Sequence, residues 1–295
     1  MFCADGWKDY ALIDCSGGEK LEAWGDKLLI RPDPQAVWKS DKNDKRWNNA
    51  DARYVRSKSG GGSWNCYKKL PDSWVIKYKN LSFGIKPMGF KHTGLFPEQA
   101  ANWDWFSELI KNEKGREINI LNLFAYTGGA TVAAASAGAK VCHVDAAKGM
   151  VAWAKENAAL SGLSEHPIRY IVDDVKKFAK RELKRGHKYD GIIMDPPSYG
   201  RGPNGELWKI EDEIFDLTEL CCELLSDNPL FFLINSYTTG FSGTVIENIV
   251  KLTVAKKFGG RTTSDEVCLP IKDSDLVLPC GYSTRWEATT VRPKK

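Results

Sequence analysis

The chain has 295 residues, of which 42% are hydrophobic and 27% are charged, so it can bury one large core or two smaller ones. Its net charge of +4 is too small to indicate a nucleic-acid partner by itself. No apolar run approaches the roughly 18 residues of a membrane-spanning helix, and the first residues lack the basic and apolar regions of a secretion signal. We therefore predict a cytoplasmic protein without membrane association.

The eight cysteines show no C-x-x-C pair and no zinc-like spacing with histidine. Four of them lie in apolar stretches, where cysteine usually behaves as a small hydrophobic residue: Cys142, Cys221, Cys222 and Cys268. Reduced thiols and no metal site are expected.

Residues 1–86 contain short apolar, β-branched or aromatic runs separated by turn sequences rich in glycine, proline and aspartate. The runs are residues 10–15, 21–24, 27–30 and 74–78. This pattern predicts a small N-terminal β-domain over residues 1–86, followed by a second domain over residues 87–295.

Residues 38–70 are polar, basic and glycine-rich, which predicts a long exposed loop or insertion. Between residues 37 and 79 the chain carries 11 Lys and Arg residues against 4 Asp and Glu residues. Seven aromatic residues are interleaved with these charges: Trp38, Trp47, Tyr54, Trp64, Tyr67, Trp74 and Tyr78. Either the cations bind RNA phosphates while the aromatics stack on unpaired bases, or the segment is a solvated basic face with a few tryptophans in the core.

From Glu98 onward, helical patterns alternate with apolar strands. The predicted helices are residues 98–112, 129–137, 148–161, 175–185, 210–225 and 244–257. The predicted strands are residues 118–123, 140–145, 168–172, 189–195, 229–235, 262–269 and 283–290. Apolar strands separated by helices predict an α/β fold with a mostly parallel sheet covered on both faces.

The first of these strands runs into a glycine turn at Gly128 and Gly129 and then into a helix of small residues. Ligands of open α/β sheets bind at the carboxyl ends of the strands, where backbone amides approach the ligand. Asp145 ends the next strand and is placed to accept hydrogen bonds from both hydroxyls of a ribose. Because the loop lacks two glycines of the G-x-G-x-x-G pattern, S-adenosylmethionine is favoured over a dinucleotide.

Two further strands end in acidic residues. Asp173 and Asp174 follow the third strand, where either could accept from the adenine amino group or cap the next helix. Asp195 ends the fourth strand and is followed by Pro196 and Pro197, which fix the backbone and lack amide donors. Carbonyl oxygens there would face the pocket without competing bonds, an arrangement that suits an amine or a ring edge. The alternative is a purely structural turn.

At these motifs the sequence resembles the class I S-adenosylmethionine-dependent methyltransferases, in particular the large-subunit ribosomal RNA methyltransferases with a small N-terminal β-domain. The resemblance rests on four segments: Asn122-Leu123-Phe124-Ala125-Tyr126-Thr127-Gly128, Val144-Asp145-Ala146 with Trp153-Ala154-Lys155-Glu156-Asn157, Asp195-Pro196-Pro197-Ser198-Tyr199, and Gly89-Phe90-Lys91-His92-Thr93-Gly94-Leu95-Phe96-Pro97-Glu98-Gln99. The last segment is similar to a family loop whose acid-Gln pair closes over the cofactor.

The resemblance implies a Rossmann-like, seven-stranded sheet ending in an antiparallel strand, and methyl transfer to an RNA base. Taken with the motifs, it assigns cofactor contacts to Lys91, Thr93, Gln99, Phe124, Ala125, Tyr126, Thr127, Gly128, Asp145, Ala146, Asn157, Asp173, Asp174 and Asp195. It assigns catalytic roles to Asp195, Pro196, Pro197, Ser198 and Tyr199. Asp195, Ser198 and Tyr199 would orient an extruded or unpaired base.

The family includes cytosine-C5 and guanine-N7 enzymes, and this chain departs from the C5 pattern. C5 enzymes use a cysteine after the fifth strand, whereas residues 233–240 contain none. Covalent catalysis is therefore disfavoured, and alignment of the acceptor with the methyl group carries the reaction. Two alternatives stay open: a methyltransferase acting on a protein or small molecule, and a catalytically silent RNA-binding module. The sequence leaves the oligomeric state open.

Overall fold

The structure is a computed structural model that describes residues 1–57, 61–201, 207–238 and 240–289. The predictions for residues 58–60, for Thr239 and for the end of the last strand at residue 290 therefore fall outside the described residues. Within the described ranges, no helix is long and apolar enough to cross a membrane.

The N-terminal part is built from short strands, as the turn-punctuated pattern predicts. The strands are β1 (Phe2–Cys3), β2 (Tyr10–Ser16), β3 (Glu19–Trp24), β4 (Lys27–Pro32), β5 (Ala52–Arg56), β6 (Gly62–Cys66), β7 (Trp74–Tyr78) and β8 (Leu81–Ile85). Strands β2 to β6 form one five-stranded sheet in chain order, and β7 pairs with β8 as a hairpin. Leu21, Trp24 and Leu29 are fully buried in this part.

The expectation of an exposed loop over residues 38–70 is wrong for much of that segment. It forms the 3-10 helix Lys45–Asn48 and strands β5 and β6. The Trp47 indole is buried and donates to Asp14 Oδ2 at 2.7 Å. Ala52 and Tyr54 are also buried, because alternate residues of β5 face the sheet core. The polar composition concealed this period-two pattern.

The second part contains the predicted alternation of helices and strands. Its elements are α1 (Ala100–Asn112), β9 (Asn119–Leu123), α2 (Gly129–Ser136), β10 (Lys140–Asp145), α3 (Lys148–Leu160), β11 (Ile168–Val172), α4 (Val175–Lys184), β12 (Gly191–Met194), β13 (Tyr199–Arg201), β14 (Leu207–Lys209), α5 (Ile210–Cys222), β15 (Phe231–Ser236), α6 (Gly243–Val250), the π-turn Lys251–Ala255, α7 (Lys256–Phe258), β16 (Arg261–Pro270) and β17 (Val277–Glu287). The 3-10 helix Pro97–Gln99 precedes α1. The hairpin of β13 and β14 was not predicted.

The large sheet has the strand order β11-β10-β9-β12-β15-β17-β16-β1. Strands β11, β10, β9, β12 and β15 are parallel, and β17 is antiparallel to both of its neighbours. This confirms the predicted Rossmann-like sheet, to which the short β1 adds an eighth strand. The order reverses between β9 and β12, and ligands of such sheets bind at the carboxyl ends of the strands beside this switch point.

Both faces of the sheet are covered by helices, because successive residues of each strand point to opposite faces. On one face Ile120 packs in the same core as Phe106 of α1, whose ring stacks on Phe231 at a centroid distance of 5.7 Å. On the other face Leu121 packs in a second core with Leu217 of α5. This covering fixes the strand ends that carry the candidate site.

Candidate active site

The loop between β9 and α2 has an unusual backbone. Phe124, Tyr126 and Gly128 all have positive φ, at 54°, 49° and 82°. Such a conformation is strained for the two aromatic residues and points to a functional constraint. The amides of the first turn of a helix have no intrahelical partner, so the start of α2 offers donors to an anionic or zwitterionic ligand.

Asp145, at the end of β10, supports this loop. Its Oδ2 accepts from the Tyr126 amide and its Oδ1 from the Ala147 amide, both at 2.8 Å. Burial raises the pKa of the carboxyl, while the two backbone donors lower it. Each oxygen keeps a free lone pair, so the carboxylate fits the two hydroxyls of a ribose. The neighbouring Ala146 is exposed at the same edge.

The two glycines of the loop also have a packing role. A Cβ on Gly128 would lie 2.7 Å from the Ala154 Cβ of α3, and a Cβ on Gly129 would lie 2.7 Å from the Trp103 ring of α1. Both helices therefore approach the loop too closely for any side chain. The glycines serve helix packing as well as ligand approach.

Asn157 and Thr127 fix the position of this loop through hydrogen bonds. Asn157 is fully buried, its Nδ2 donates to Thr127 O and its Oδ1 accepts from the Gly84 amide, both at 2.8 Å. The Thr127 hydroxyl donates to Gly94 O at 2.5 Å. Both ends of the Asn157 amide have protein partners, so this residue positions the loop. Its predicted cofactor contact stays a prediction.

The segment before α1 reaches the same edge of the sheet. Thr93 is buried, and its Oγ1 has no hydrogen-bond partner among the described residues. Gln99 is buried too, with Nε2 donating to the Tyr237 hydroxyl at 2.5 Å and Oε1 accepting from Asn235 Nδ2 at 3.0 Å. Lys91 is half-buried, and its carbonyl accepts from Arg31 at 3.1 Å. Of these, Gln99 lines the pocket.

Asp174 caps the helix that follows it, and an adenine contact stays a prediction. Its carboxylate accepts from the Lys177 amide at 2.8 Å, and the residue is the N-cap of α4. The Asp173 carboxylate forms an ion pair with Arg181 and accepts from the Asp174 amide at 2.9 Å. Both acids therefore have protein partners at the end of β11.

Asp195 is the acidic group of the pocket itself. The pocket is lined by Leu95, Phe96, Gln99, Trp103, Asn122, Phe124, Ala125, Tyr126, Thr127, Gly129, Ala130, Ile193, Asp195 and Asn235. Burial raises the pKa of Asp195 to about 7, with a further contribution from the negative charge of Glu98. Glu98 is itself buried, which raises its pKa. A carboxyl whose pKa lies near neutrality suits proton transfer.

The four residues after Asp195, which were predicted to be catalytic, are not part of the pocket lining. The Pro197 carbonyl accepts from the Trp208 indole at 2.6 Å, so the expectation of a carbonyl free of intramolecular bonds is wrong there. Ser198 Oγ accepts from the Thr238 hydroxyl at 2.6 Å. Tyr199 is exposed at the start of β13, whereas Pro196 is buried.

Besides Gly129 of the glycine turn, seven pocket residues were given no cofactor or catalytic role from the sequence, although three of them lie in the quoted motifs: Leu95, Phe96, Trp103, Asn122, Ala130, Ile193 and Asn235. Two of them carried a signal in the sequence, because Asn122 and Asn235 interrupt the apolar strands β9 and β15 near their carboxyl ends. Asn235 accepts from the Ser283 hydroxyl at 2.6 Å and is almost fully buried. A buried amide at a strand end indicates a polar network behind a site.

The cysteines offer no activated nucleophile. All eight are free and lie within the described residues. Burial raises the pKa of the Cys268 thiol to about 11 and that of the Cys280 thiol well above its usual range. Among the described residues, no group of three or more His, Cys, Asp and Glu side chains is arranged to hold a metal ion. The pocket lining contains no cysteine.

A sheet of this order, with a glycine turn after β9 and an acid at the end of β10, is typical of α/β domains that bind a nucleotide cofactor. The sequence profile of the S-adenosylmethionine-dependent methyltransferases matches residues 36–254. The chain belongs to this family, and S-adenosylmethionine is its cofactor.

Three similar proteins illustrate the relationship. A protein of Shewanella frigidimarina named ribosomal RNA large subunit methyltransferase K/L is 30% identical over 212 residues, which cover 70% of this chain and 28% of the relative. The crystal structure of a SAM-dependent methyltransferase from Agrobacterium tumefaciens is 36% identical, with a TM-score of 0.92 over 97% of this chain and 93% of that one. SMU.776, a putative methyltransferase complexed with SAH, shares the fold at 20% identity and a TM-score of 0.72, over 96% and 76% of the two chains.

Replacing Asp145 by alanine is expected to weaken S-adenosylmethionine binding by about 1 to 3 kcal/mol, because it removes a charged acceptor from the ribose hydroxyls. Calorimetry measures the affinity directly. Asp216→Ala is the matched control, since Asp216 is exposed on α5. Equal affinities of the two variants would remove Asp145 from the cofactor site.

Proposed function

We propose that this chain is a cytoplasmic enzyme that methylates a base of ribosomal RNA without a cysteine nucleophile. The similarity to the Shewanella protein named ribosomal RNA large subunit methyltransferase K/L carries this proposal. The chain spans 28% of the length of that relative, so the shared region corresponds to only part of it. The eight free thiols fit the reducing conditions of the cytoplasm.

The pocket supports direct transfer to a base. S-adenosylmethionine supplies an electrophilic methyl group when it is bound. Asp195 accepts a hydrogen bond, or a proton, from an N–H group of the base, and its pKa of about 7 suits that task at neutral pH. Phe96 and Tyr126, with ring centroids 5.5 Å apart, exclude water beside it. Alignment of the reacting groups can supply about 7 to 11 kcal/mol of the barrier in favourable cases.

For most of the seven aromatic residues of the predicted RNA surface, the structure favours the second alternative, packing in the protein core, over stacking on RNA. Trp47, Tyr54 and Tyr78 are buried, and the Trp64 and Trp74 indoles donate to backbone carbonyls at 2.9 Å. These rings therefore belong to the packing of the N-terminal part. Tyr67, at 60% exposure, is available for stacking.

The charged part of that surface remains a prediction, and some of its cations have partners. Lys68 lies 2.9 Å from Asp51, and Arg53 lies 2.5 Å from Glu19. Lys45 and Lys69 are exposed and have no ion pair among the described residues. A test of the surface should therefore use these two lysines, because reversing Lys68 would also break its pair with Asp51.

Replacing Lys45 and Lys69 together by glutamine is expected to weaken RNA binding and to flatten its salt dependence. Each lost phosphate contact lowers the log-log slope by slightly less than about one. Fluorescence anisotropy over a range of KCl concentrations measures the slope, and cofactor affinity should stay unchanged. Lys180→Gln on α4 is the control, since Lys180 is exposed. A slope equal to that of the control would exclude the surface from RNA binding.

Methyl transfer from tritiated S-adenosylmethionine tests the function itself. The substrates are purified large-subunit ribosomal RNA from a strain lacking this enzyme and, separately, the RNA-free protein of the same strain. We expect label in the RNA alone. Label in the protein fraction without label in RNA would replace the proposal with the protein-methylating alternative.

A further inference from the structure

A tight turn just before the pocket-lining residues Leu95 and Phe96 presents an exposed aromatic ring. The turn is closed by two backbone hydrogen bonds, from the Lys86 amide to Thr93 O at 3.1 Å and from the Met88 amide to His92 O at 3.2 Å. Phe90 lies at its tip and is 46% exposed. An exposed phenylalanine is ordinary on its own, so its surroundings decide whether it has a role.

The N-terminal sheet holds this tip from both sides. Arg31 donates to Lys91 O at 3.1 Å, and the Trp64 indole donates to Met88 O at 2.9 Å. Arg31 is itself fixed by Glu22, with bonds of 2.6 and 2.8 Å. The backbone that carries Phe90 is therefore anchored by side chains far away in the sequence.

The exposed ring is continuous with the pocket. The Phe90 and His92 rings lie 5.4 Å apart, and the next steps to Phe96 and Tyr126 are 5.2 and 5.5 Å. Phe96 and Tyr126 line the pocket together with Asp195. Burial and neighbouring cations lower the pKa of His92 to about 4, so this ring is neutral at neutral pH. A row of uncharged rings thus leads from solvent to Asp195, the candidate proton acceptor.

A cation without a partner accompanies the ring. Lys91 is half-buried and has no ion pair within 4.0 Å among the described residues. Burial lowers the pKa of its ammonium. The Asp33 carboxylate partly opposes this effect, and the cations Lys20, Arg31 and Arg56 add to it. An anion beside Lys91 would relieve both, because a buried charge is costly unless it is paired.

We propose that Phe90 and Lys91 form a binding site for one unpaired nucleotide of the RNA, next to the base that enters the pocket. The Phe90 ring stacks on that base and the Lys91 ammonium contacts its phosphate. Aromatic rings paired with cations are the usual means of holding unpaired nucleotides. This inference rests on the proposed function, and it names how the substrate is held at the entrance.

The test separates stacking from charge. The probe is a fluorescein-labelled oligoadenylate of about twelve nucleotides, because stacking tolerates any sequence. Phe90→Ala should weaken its binding about tenfold with an unchanged salt slope, and Phe90→Trp should restore it. Lys91→Gln should lower the slope by about 0.7, the value for one phosphate contact on a single strand. Phe215→Ala is the control, since Phe215 is a partly exposed phenylalanine on α5.

Each of three results would overturn the inference. The first is that the wild type does not bind the probe at low salt, and the second is that Phe90→Ala binds it with the same affinity as Phe215→Ala. The third is that Lys91→Gln loses affinity for S-adenosylmethionine while the salt slope of probe binding is unchanged. This third result would indicate that Lys91 contacts the cofactor instead. Methylation of ribosomal RNA by the wild type is measured in parallel. If the wild type methylates ribosomal RNA but Phe90→Ala binds the probe as well as Phe215→Ala does, the proposed site is rejected and the proposed function is kept. If the wild type does not methylate ribosomal RNA, the proposed function is rejected.

Discussion

Replacing Asp195 by asparagine is expected to lower kcat for methyl transfer about 100-fold or more, because general acid–base groups contribute about 100- to 10,000-fold. The wild-type kcat/KM should rise with pH through about 7, since burial raises the pKa of Asp195 in the ligand-free enzyme to that value and the ionised form accepts the proton. The Asp195→Asn variant should lack this rise with pH. Steady-state kinetics across pH 5.5 to 8.5 measure both effects.

Asp216→Asn provides the control for Asp195→Asn, because Asp216 is an exposed aspartate away from the pocket. Affinity for S-adenosylmethionine distinguishes a lost catalytic group from a collapsed site. A variant with normal cofactor affinity and kcat within threefold of the wild type would show that Asp195 does not take part in the reaction. If Asp195→Asn keeps the rise in activity with pH, the group that titrates near pH 7 is not Asp195.

Replacing Glu22 by glutamine is expected to lower the free energy of unfolding by about 3 to 5 kcal/mol, because it leaves the buried Arg31 guanidinium without its counter-charge. Glu22 is fully buried and also accepts from the Tyr10 hydroxyl at 2.8 Å. Urea denaturation measures the change. The double variant Glu22→Gln with Arg31→Met should recover part of the loss, since it removes the unpaired charge.

The same ion pair predicts a pH dependence of stability. Burial alone would raise the pKa of Glu22, but Arg31 and Lys20 lower it to about 2. A depressed carboxyl pKa contributes stability above its unfolded value, about 4.3, and that contribution is lost as the pH falls toward 2. The loss should be smaller in Glu22→Gln. An unfolding free energy within 1 kcal/mol of the wild type would contradict a stabilising role for the pair.

The sheet could be predicted because its strands are continuous apolar runs between helices. Asp145 and Asp195 were found for the same reason, since strand ends of a parallel sheet meet at one edge. Strands β5 and β6 were missed because only alternate residues such as Ala52 and Tyr54 are buried within a basic stretch. The polar composition of this stretch led to the prediction of a loop, although its period-two pattern indicates strands.

Contacts between residues far apart in the chain could not be predicted. The motif around Asn157 was recognised, but its bonds to Gly84 and Thr127 join three separate segments. The contact of Arg31 with the Lys91 carbonyl spans 60 residues. Local patterns identify which residues carry chemistry, whereas these long-range bonds decide which of them face the pocket and which support it.

The central claim, that this chain methylates a base of ribosomal RNA, is tested most directly by nucleoside mass spectrometry of ribosomal RNA from a strain lacking the gene. The account predicts the loss of one methylated base from the large-subunit RNA. A plasmid carrying the wild-type gene should restore it, and one carrying Asp195→Asn should not. An unchanged set of methylated nucleosides in the deletion strain would contradict the claim.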